Sequence, residues 1–245
     1  MLIIITGTIK PNKIKDLTLR DTDERLAQYR KALLHLIKLR PDADIVFCDN
    51  SNYGTEAFAD ITQKAKKSNI NLEVLSFQGS SEAIAEHGKG YGEGEIVRYV
   101  LENSSLAQDN DYMIKITGRL AVHNISTIVK RVDTDRIYFN VPNIHRRDIY
   151  DTRLYGMPIQ LFRGYFIDEY LNVYDDKGYF LEHAYRDAIL NNHLKVRNFP
   201  SYPRITGSSG SGGTSYDYTE WKSRIRDFLS VFNVYGRVKE GTTTL

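Results

Sequence analysis

Leu2-Ile-Ile-Ile-Thr-Gly-Thr8 is the stretch that decides the fold, because four apolar residues in a row are followed at once by small polar ones. A short apolar run without polar alternation indicates a strand buried on both faces, as in a parallel sheet. The pattern returns in Ile45–Asp49, which Asn50-Ser-Asn52 closes, and in Leu72–Phe77 and Asp111–Thr117. Four strands are therefore predicted, the first two of them buried.

Helical patterns separate these strands. The acidic stretch Asp21–Glu24 opens a helix that runs through about Arg40 and repeats apolar residues on one face. Further helices are predicted near Glu56–Lys67 and from Lys89–Glu95 through about Leu106, and Arg136–Val141 is the next strand. Strands that alternate with helices at this spacing predict an α/β fold with a largely parallel sheet and helices on both faces.

The alternation stops beyond Val141. Three segments follow, one predicted to be extended and two helical: Arg153–Phe166, Ile167–Tyr174 and Tyr179–Asn191. The glycine and serine run Gly207–Thr214 has the composition of a flexible linker, and a last helix is predicted over Thr219–Val234. We expect one domain over residues 1–206 and a helical appendage over 207–245.

Composition excludes several classes of protein. The 245 residues include 41% hydrophobic and 26% charged ones, with a net charge of +2, so bulk charge does not indicate a nucleic-acid partner. Cys48 is the sole cysteine and lies in an apolar run. Met1–Gly7 is too short for a signal peptide, and no run approaches the roughly 18 apolar residues of a membrane span. The expected location is cytoplasmic, with at most peripheral contact to the inner face of the cytoplasmic membrane.

The loops after the predicted strands are the first candidates for a binding site, because ligands of open α/β sheets bind beyond the carboxyl ends of the strands. These loops are small and polar, and they supply the candidates Thr6, Gly7, Asn50, Ser51, Thr117 and Gly118. Neither a dinucleotide fingerprint nor a P-loop motif is present. Lys89 lies in the glycine-rich stretch Gly88–Glu93, which resembles a phosphate loop without the usual preceding strand.

Tyr112-Met-Ile-Lys-Ile-Thr-Gly-Arg-Leu-Ala-Val-His-Asn124 carries a resemblance to a known family. It resembles the end of the fourth core strand in GT-A glycosyltransferases, where an Asp-x-Asp motif holds a divalent metal against the donor diphosphate. Here Thr117-Gly-Arg119 occupies the acidic slot. The chain looks like bacterial capsule or O-antigen glycosyltransferases of the metal-independent, galactofuranosyl-type group, over roughly Met1 to His193.

The resemblance implies a GT-A-like fold and a function. The expected activity is transfer of a sugar from a nucleotide diphosphate sugar, taken to be a UDP-sugar, to a glycan or lipid-linked glycan in surface polysaccharide synthesis. No metal cofactor is expected. Two alternatives remain open: a nucleotidyltransferase or other nucleotide-processing enzyme, and a non-catalytic protein of the same fold that binds a glycan or nucleotide.

Without a metal, another positive group must meet the charge that develops on the leaving diphosphate. Arg119 offers a permanently charged, bidentate fork that suits phosphate oxygens. The alternative is a surface arginine that bridges to a carboxylate. Lys115 is predicted either to be buried in the sheet or to reach the same crevice, and Arg153 to clamp phosphate or to belong to a solvated charged face.

Glu182 is the candidate general base, because inverting GT-A enzymes often place a carboxylate at the start of a late helix. The alternative is that Glu182 only stabilises the positive end of that helix. Asp151 begins the segment that lines the acceptor side in GT-A folds and is the second catalytic candidate.

The predicted last helix is amphipathic and basic. Its apolar face consists of Trp221, Ile225, Phe228, Leu229 and Phe232. Such a face either lies on an anionic membrane or docks on the protein core.

Overall fold

The computed structural model describes residues 1–11, 19, 21–143, 145, 147–208 and 215–238. Those residues contain ten strands: β1 (Leu2–Gly7), β2 (Asp44–Asp49), β3 (Leu72–Ser76), β4 (Tyr112–Thr117), β5 (Ala121–Val122), β6 (Ile137–Phe139), β7 (Leu154–Pro158), β8 (Val196–Arg197), β9 (Ile205–Ser208) and β10 (Ser215–Tyr216).

Seven strands form the central sheet in the order β3-β2-β1-β4-β7-β6-β8. β1 pairs in parallel with both β2 and β4, so that Ile3 lies beside Ile45 on one side and Ile114 on the other. β7 is antiparallel to its neighbours β4 and β6, and β6 is parallel to β8. β5, β9 and β10 form a small antiparallel sheet. The predicted α/β, GT-A-like, mostly parallel sheet is confirmed.

Nine helices pack around the strands in the same described ranges: α1 (Thr22–Leu39), α2 (Ala59–Lys67), α3 (Ser81–His87), α4 (Lys89–Asn103), α5 (Ser105–Gln108), α6 (Ile125–Arg131), α7 (Ile159–Tyr165), α8 (Leu181–Asn191) and α9 (Glu220–Ser230). The predicted cap of α1 is present, since the Asp21 side chain accepts a hydrogen bond from the Glu24 N–H at 2.7 Å.

The sheet separates two apolar cores because successive residues of a strand point to opposite faces. Leu2 and Ile4 belong to the core under α4, α7 and α8, and Ile3 and Ile5 to the core under α1, α2 and α6. All six residues of β1 are buried, as a strand between two helical layers requires.

The region after Val141 departs from the sequence-based expectation. The extended segment predicted over Arg153–Phe166 ends at Pro158, and α7 follows, with Ile159 and Phe162 buried one turn apart. Proline is tolerated at the start of a helix, where its missing N–H has no intrahelical partner. The burial of Ile159 and Phe162, rather than helix propensity, therefore sets the change from strand to helix. The helix predicted over Ile167–Tyr174 is also wrong, because only Glu169–Asn172 form a 3-10 turn.

The C-terminal part joins the body through β9 and α9. Residues 209–214 of the predicted Gly207–Thr214 linker lie outside the described residues, whereas Gly207 and Ser208 belong to β9 and pair with β10. β9 spans the predicted boundary at 206, and the division into 1–206 and 207–245 stays a prediction. Within the described residues, no helix is both long and apolar enough to cross a membrane.

Candidate active site

A cavity of about 400 Å³ opens at the carboxyl ends of β1, β2 and β4. This is the edge of an open α/β sheet where ligands bind, and the volume is in the range of small-molecule sites. Seven of the residues predicted to contact a donor line the cavity: Thr6, Gly7, Asn50, Ser51, Lys89, Thr117 and Arg119.

Asp49 fixes the first two loops. Its buried carboxylate accepts hydrogen bonds from the N–H groups of Ile9 at 2.8 Å, Ser51 at 3.0 Å and Tyr53 at 3.1 Å. The Ser51 hydroxyl donates to the same carboxylate at 2.8 Å. These bonds hold the loop after β1 against the loop after β2, so this carboxylate organises the rim and is already satisfied by the protein.

Asn50 continues this rim. Its N–H donates to the Gly7 carbonyl at 3.1 Å, and its side-chain oxygen accepts from the Thr8 hydroxyl at 2.7 Å. The side-chain amide reaches the Gly92 carbonyl at 3.4 Å and so links the rim to α4. The predicted residues of the two loops therefore act together on one wall.

Lys115 is buried in the sheet, so the first of its two predicted placements is correct. Its side chain is 0% exposed and forms an ion pair with Glu93. The ammonium group also donates to the Thr117 hydroxyl at 3.0 Å and to the Thr152 carbonyl at 2.9 Å. An ammonium group has three donors, and these three contacts use them, so Lys115 supports the cavity from behind.

Glu93 is the site residue that the sequence analysis missed. It comes from α4, lines the cavity, and accepts hydrogen bonds from Thr117 at 2.8 Å and Thr6 at 3.4 Å. The signal that could have found it is Lys115, a charged residue inside an apolar strand. A buried ammonium needs a partner carboxylate, and the glycine-rich first part of α4 supplies one.

Arg119 lines the cavity and donates a hydrogen bond to the Gln28 side-chain oxygen at 3.2 Å. No carboxylate in the described part of the chain forms an ion pair with it, unlike the predicted alternative of a surface bridge. Burial lowers the pKa of the Arg119 guanidinium, yet an arginine remains protonated at neutral pH. Its charge therefore faces the cavity without a protein counterion among the described residues.

Arg25 is a second buried guanidinium beside the cavity, but its donors serve the protein. It donates to the Thr8 carbonyl at 2.7 Å and to the Tyr29 hydroxyl at 3.2 Å. Lys10 and Lys89 also line the cavity. Four cationic side chains thus surround the space, whereas Glu93 is the carboxylate among the described lining residues.

Gly7 and Gly118, two of the predicted binding residues, lie in close contact with the protein. A Cβ on Gly118 would lie 2.0 Å from the Thr6 carbonyl oxygen, and one on Gly7 would lie 2.7 Å from the Phe47 ring. Both positions exclude a side chain because the protein itself packs there. Gly118 therefore lets the turn after β4 approach the backbone at the end of β1.

Glu182 lies in the first turn of α8, as predicted, but behind the cavity wall. Its carboxylate accepts a hydrogen bond from the Thr152 hydroxyl at 2.9 Å, and the Thr152 carbonyl binds Lys115. Burial raises the pKa of Glu182, and the negative charges of Glu93 and Asp151 raise it further. The four residues Glu93, Lys115, Thr152 and Glu182 form one connected group, here named the Glu93–Glu182 network.

Asp151 and Arg153 lie together at a separate, smaller cavity of about 80 Å³. Arg153 binds Asp151 with two nitrogens, at 2.8 and 2.5 Å, and stacks 4.4 Å over the Tyr216 ring. Burial opposes the charge of Arg153, but the Asp151 carboxylate outweighs it and the pKa of Arg153 is raised. The structure therefore does not bring these two predicted residues to the main cavity.

The residues present do not fit a divalent metal of the kind that GT-A enzymes hold against the diphosphate. Magnesium prefers carboxylate and other oxygen ligands, but Thr117-Gly-Arg119 stands at the end of β4. Glu93 is committed to Lys115, and Arg119 would repel a cation. Within the described ranges, no group of three or more His, Cys, Asp or Glu side chains could hold a metal ion.

Several solved structures with a similar architecture are glycosyltransferases, and a nucleoside-diphosphate-sugar pyrophosphorylase is also among the neighbours. The chain matches no protein-family model, and no curated protein sequence is significantly similar to it. An active-site mutant of LgtC aligns with a TM-score of 0.54 at 12% identity, covering 81% of this chain and 73% of that chain. Galactosyltransferase LgtC with donor and acceptor sugar analogues aligns with a TM-score of 0.52 at the same identity and coverage.

The bifunctional glycosyltransferase WbbM, in its apo form, is a third neighbour. It aligns with a TM-score of 0.51 at 10% identity, covering 98% of this chain and 45% of that chain. At these identities the likeness concerns the fold alone. The protein therefore has the GT-A-like fold of nucleotide-sugar glycosyltransferases.

Proposed function

We propose that the protein is a glycosyltransferase that transfers a sugar from a nucleotide diphosphate sugar to a glycan acceptor without a bound metal. The observation that carries the proposal is the main cavity. It lies at the carboxyl ends of the parallel strands, has Arg119 in the slot after β4 where the acidic motif of a metal-binding GT-A enzyme would stand, and is also lined by Lys89. This combination suits a diphosphate whose charge is met by side chains.

The diphosphate would lie against Arg119, since a guanidinium binds phosphate oxygens with two parallel hydrogen bonds. Negative charge grows on the diphosphate as its bond to the sugar breaks, so a fixed cation lowers the barrier most at that moment. Lys89 would add a second, more mobile charge at the amino end of α4. The rim of Thr6, Asn50 and Ser51 would contact the nucleoside part of the donor.

In the transfer step, an acceptor hydroxyl attacks the anomeric carbon, the bond from that carbon to the diphosphate oxygen breaks, and a base takes the hydroxyl proton. Glu182 is our proposed base for an inverting reaction, with Asp151 the next carboxylate to test. The raised pKa of Glu182 suits proton transfer near neutral pH. Its position behind Thr152 requires that the acceptor reach it past that residue. Glu93, which lines the cavity, is therefore the necessary comparison.

The finer features of the reaction are also proposals. They are a UDP-sugar as donor, a lipid-linked glycan as acceptor, a role in surface polysaccharide synthesis, and a cytoplasmic location. Their support is the resemblance of the segment that ends in Thr117-Gly-Arg119, together with the cationic cavity.

A ligand screen tests the function. The melting temperature is measured in EDTA with UDP-, GDP-, CMP- and dTDP-sugars, because a ligand that binds only the folded state raises it. We expect one class of donor to raise the melting temperature of the native protein and not of Arg119→Ala. Release of free nucleotide is then measured with simple glycan acceptors.

Three outcomes contradict parts of the proposal. If no nucleotide sugar stabilises the protein, the donor site is wrong. If a donor binds and is neither transferred nor hydrolysed, the protein is a binding protein of the same fold. If nucleotide triphosphates react and nucleotide sugars do not, it is a nucleotidyltransferase.

A further inference from the structure

Helix α9 docks on the body through its polar face. Asp227 accepts a hydrogen bond from the Tyr202 N–H at 2.6 Å and forms an ion pair with Arg204 at 3.0 Å. The Ser230 carbonyl accepts from the Asn198 side chain at 2.9 Å, and Ser223 is 2% exposed. The contacts that hold α9 are therefore mostly hydrogen bonds and an ion pair.

The apolar face of α9 points away from the body. Trp221, Ile225, Phe228 and Phe232 are 60%, 51%, 65% and 62% exposed. Their spacing of four, three and four residues places them in one row, here named the α9 face. Of the two alternatives for the predicted five-residue face, docking on the core holds only for Leu229, which is partly buried against it, and not for these four residues.

Positive charges border both edges of the α9 face. At about 100° per residue, Lys222 lies beyond one edge of the row and Arg224 beyond the other. Both are exposed. Asp227 lies on the docked side and pairs with Arg204, whereas Glu220 is exposed and pairs with both Arg204 and Arg224, so that Lys222 carries the charge of its margin without an acidic neighbour on the helix. The outward side of α9 is thus apolar in the middle and basic at its margins.

We propose that the α9 face binds the surface of an anionic lipid bilayer. Exposed aromatic and aliphatic side chains enter the boundary between headgroups and acyl chains, while basic residues at the margins meet the anionic headgroups. A second copy of the chain fits this face less well. Both edges are basic, so any pairing of two α9 faces brings like charges together.

Vesicle sedimentation at low salt tests this proposal in the absence of any donor, so its outcome is independent of the proposed activity. We expect the full chain to sediment with vesicles of phosphatidylcholine and phosphatidylglycerol and to stay in solution with phosphatidylcholine alone. Trp221→Ser combined with Phe228→Ser should lower the vesicle partition coefficient at least about ten-fold, because most of the buried apolar area is lost.

Charge variants separate specific docking from general attraction. Lys222→Glu with Arg224→Glu should abolish binding to the anionic vesicles, whereas Lys66→Glu with Lys67→Glu, an equal charge change on exposed α2 residues, should leave most of it. The proposal would be overturned if the two double charge variants lost vesicle binding equally, or if the serine double variant bound vesicles as well as wild type does. A concentration-dependent dimer, measured by light scattering, that the serine variant abolishes would also overturn it.

Discussion

Arg119 differs from the other buried guanidinium groups because its charge is left for a ligand. Arg25 serves the Thr8 carbonyl, and Arg153 serves Asp151. Arg119→Ala should therefore lower kcat/KM by about 10²–10³, the cost of losing one donor that stabilises developing negative charge. Arg197→Ala, which removes an equal charge from an exposed strand residue, is the control. Equal rates in both variants would show that Arg119 does not meet the diphosphate.

Glu182 gives a prediction about pH. Burial and nearby carboxylates raise its pKa in the folded protein above the unfolded value of about 4.3. The native state then holds more protons than the unfolded state, so stability is lost as pH rises from about 4 through the folded pKa. Glu182→Gln cannot ionise, and its melting temperature relative to wild type should rise over that window.

The control for this measurement is Glu86→Gln, at an exposed position on α3. The difference in melting temperature between Glu86→Gln and wild type should not rise over the same pH window. If Glu182 is also the base, the acidic limb of the kcat/KM profile disappears in Glu182→Gln. If Glu182→Gln keeps the acidic limb of the kcat/KM profile and shows the expected change in melting temperature, Glu182 has a structural role. The kcat/KM profile of Glu93→Gln would then be measured.

The positions of individual residues could be predicted from the sequence where a local pattern, such as an apolar run followed by polar residues, determines them. Arg119 and the polar loop residues follow directly after apolar runs, so their place at the sheet edge could be read from the chain. Lys115 inside an apolar strand signals that a partner carboxylate exists, but its identity as Glu93 depends on how α4 packs against β4. The separation of Arg153 from the main cavity likewise depends on side-chain direction beyond the strand end.

At the scale of elements, Gly118 marks the contact between the turn after β4 and the end of β1. Gly118→Ala should destabilise the protein by about 1–3 kcal/mol or more, because its Cβ would meet backbone that cannot move as a side chain can. Gly164→Ala is the matched control, since a Cβ there meets nothing within 4 Å. It should be neutral or stabilising by roughly 0.5–1 kcal/mol. Urea unfolding curves measure both, and equal midpoints would contradict the packing role.

Long elements were predictable and short ones were not. The strands β1 to β4 and the helix α1 carry runs or periods that dominate their windows, although β3, at the edge of the sheet, is only half-buried. β5 and β8 have two residues each, too few to show a period. They exist because neighbouring backbone groups need hydrogen-bond partners. α7 follows β7 without a loop, so the two elements form one continuous apolar segment in the sequence. Burial alone determines where the strand ends and the helix begins.

The whole molecule brings its charges together through strand order. β1 lies between β2 and β4, so three loops from distant parts of the sequence meet at one cavity. α4 adds Lys89 and Glu93 from the far side. The resulting site is cationic although the chain is nearly neutral, with a net charge of +2. Net charge therefore gave no hint of a site for an anionic ligand, whereas topology concentrates the positive groups.

Metal independence is the prediction that belongs to the whole molecule, because it depends on the complete set of groups around the cavity. The end of β4 offers Arg119 in place of a carboxylate, and Glu93 is neutralised by Lys115. We expect transfer rates in excess EDTA to equal those in Mg²⁺ or Mn²⁺. An enzyme that relied on a metal for its leaving group would lose several kcal/mol of transition-state stabilisation, or orders of magnitude in rate.

Adding Mn²⁺ to Arg119→Ala separates charge stabilisation by the arginine from charge stabilisation by a metal. If the arginine charge takes the place of a metal, Arg119→Ala gains little from added Mn²⁺, because no carboxylate set in the described site would hold the ion. A wild-type rate that collapses in EDTA and returns with Mn²⁺ would mean that a metal site exists after all, and that Arg119 does not carry the leaving-group charge alone.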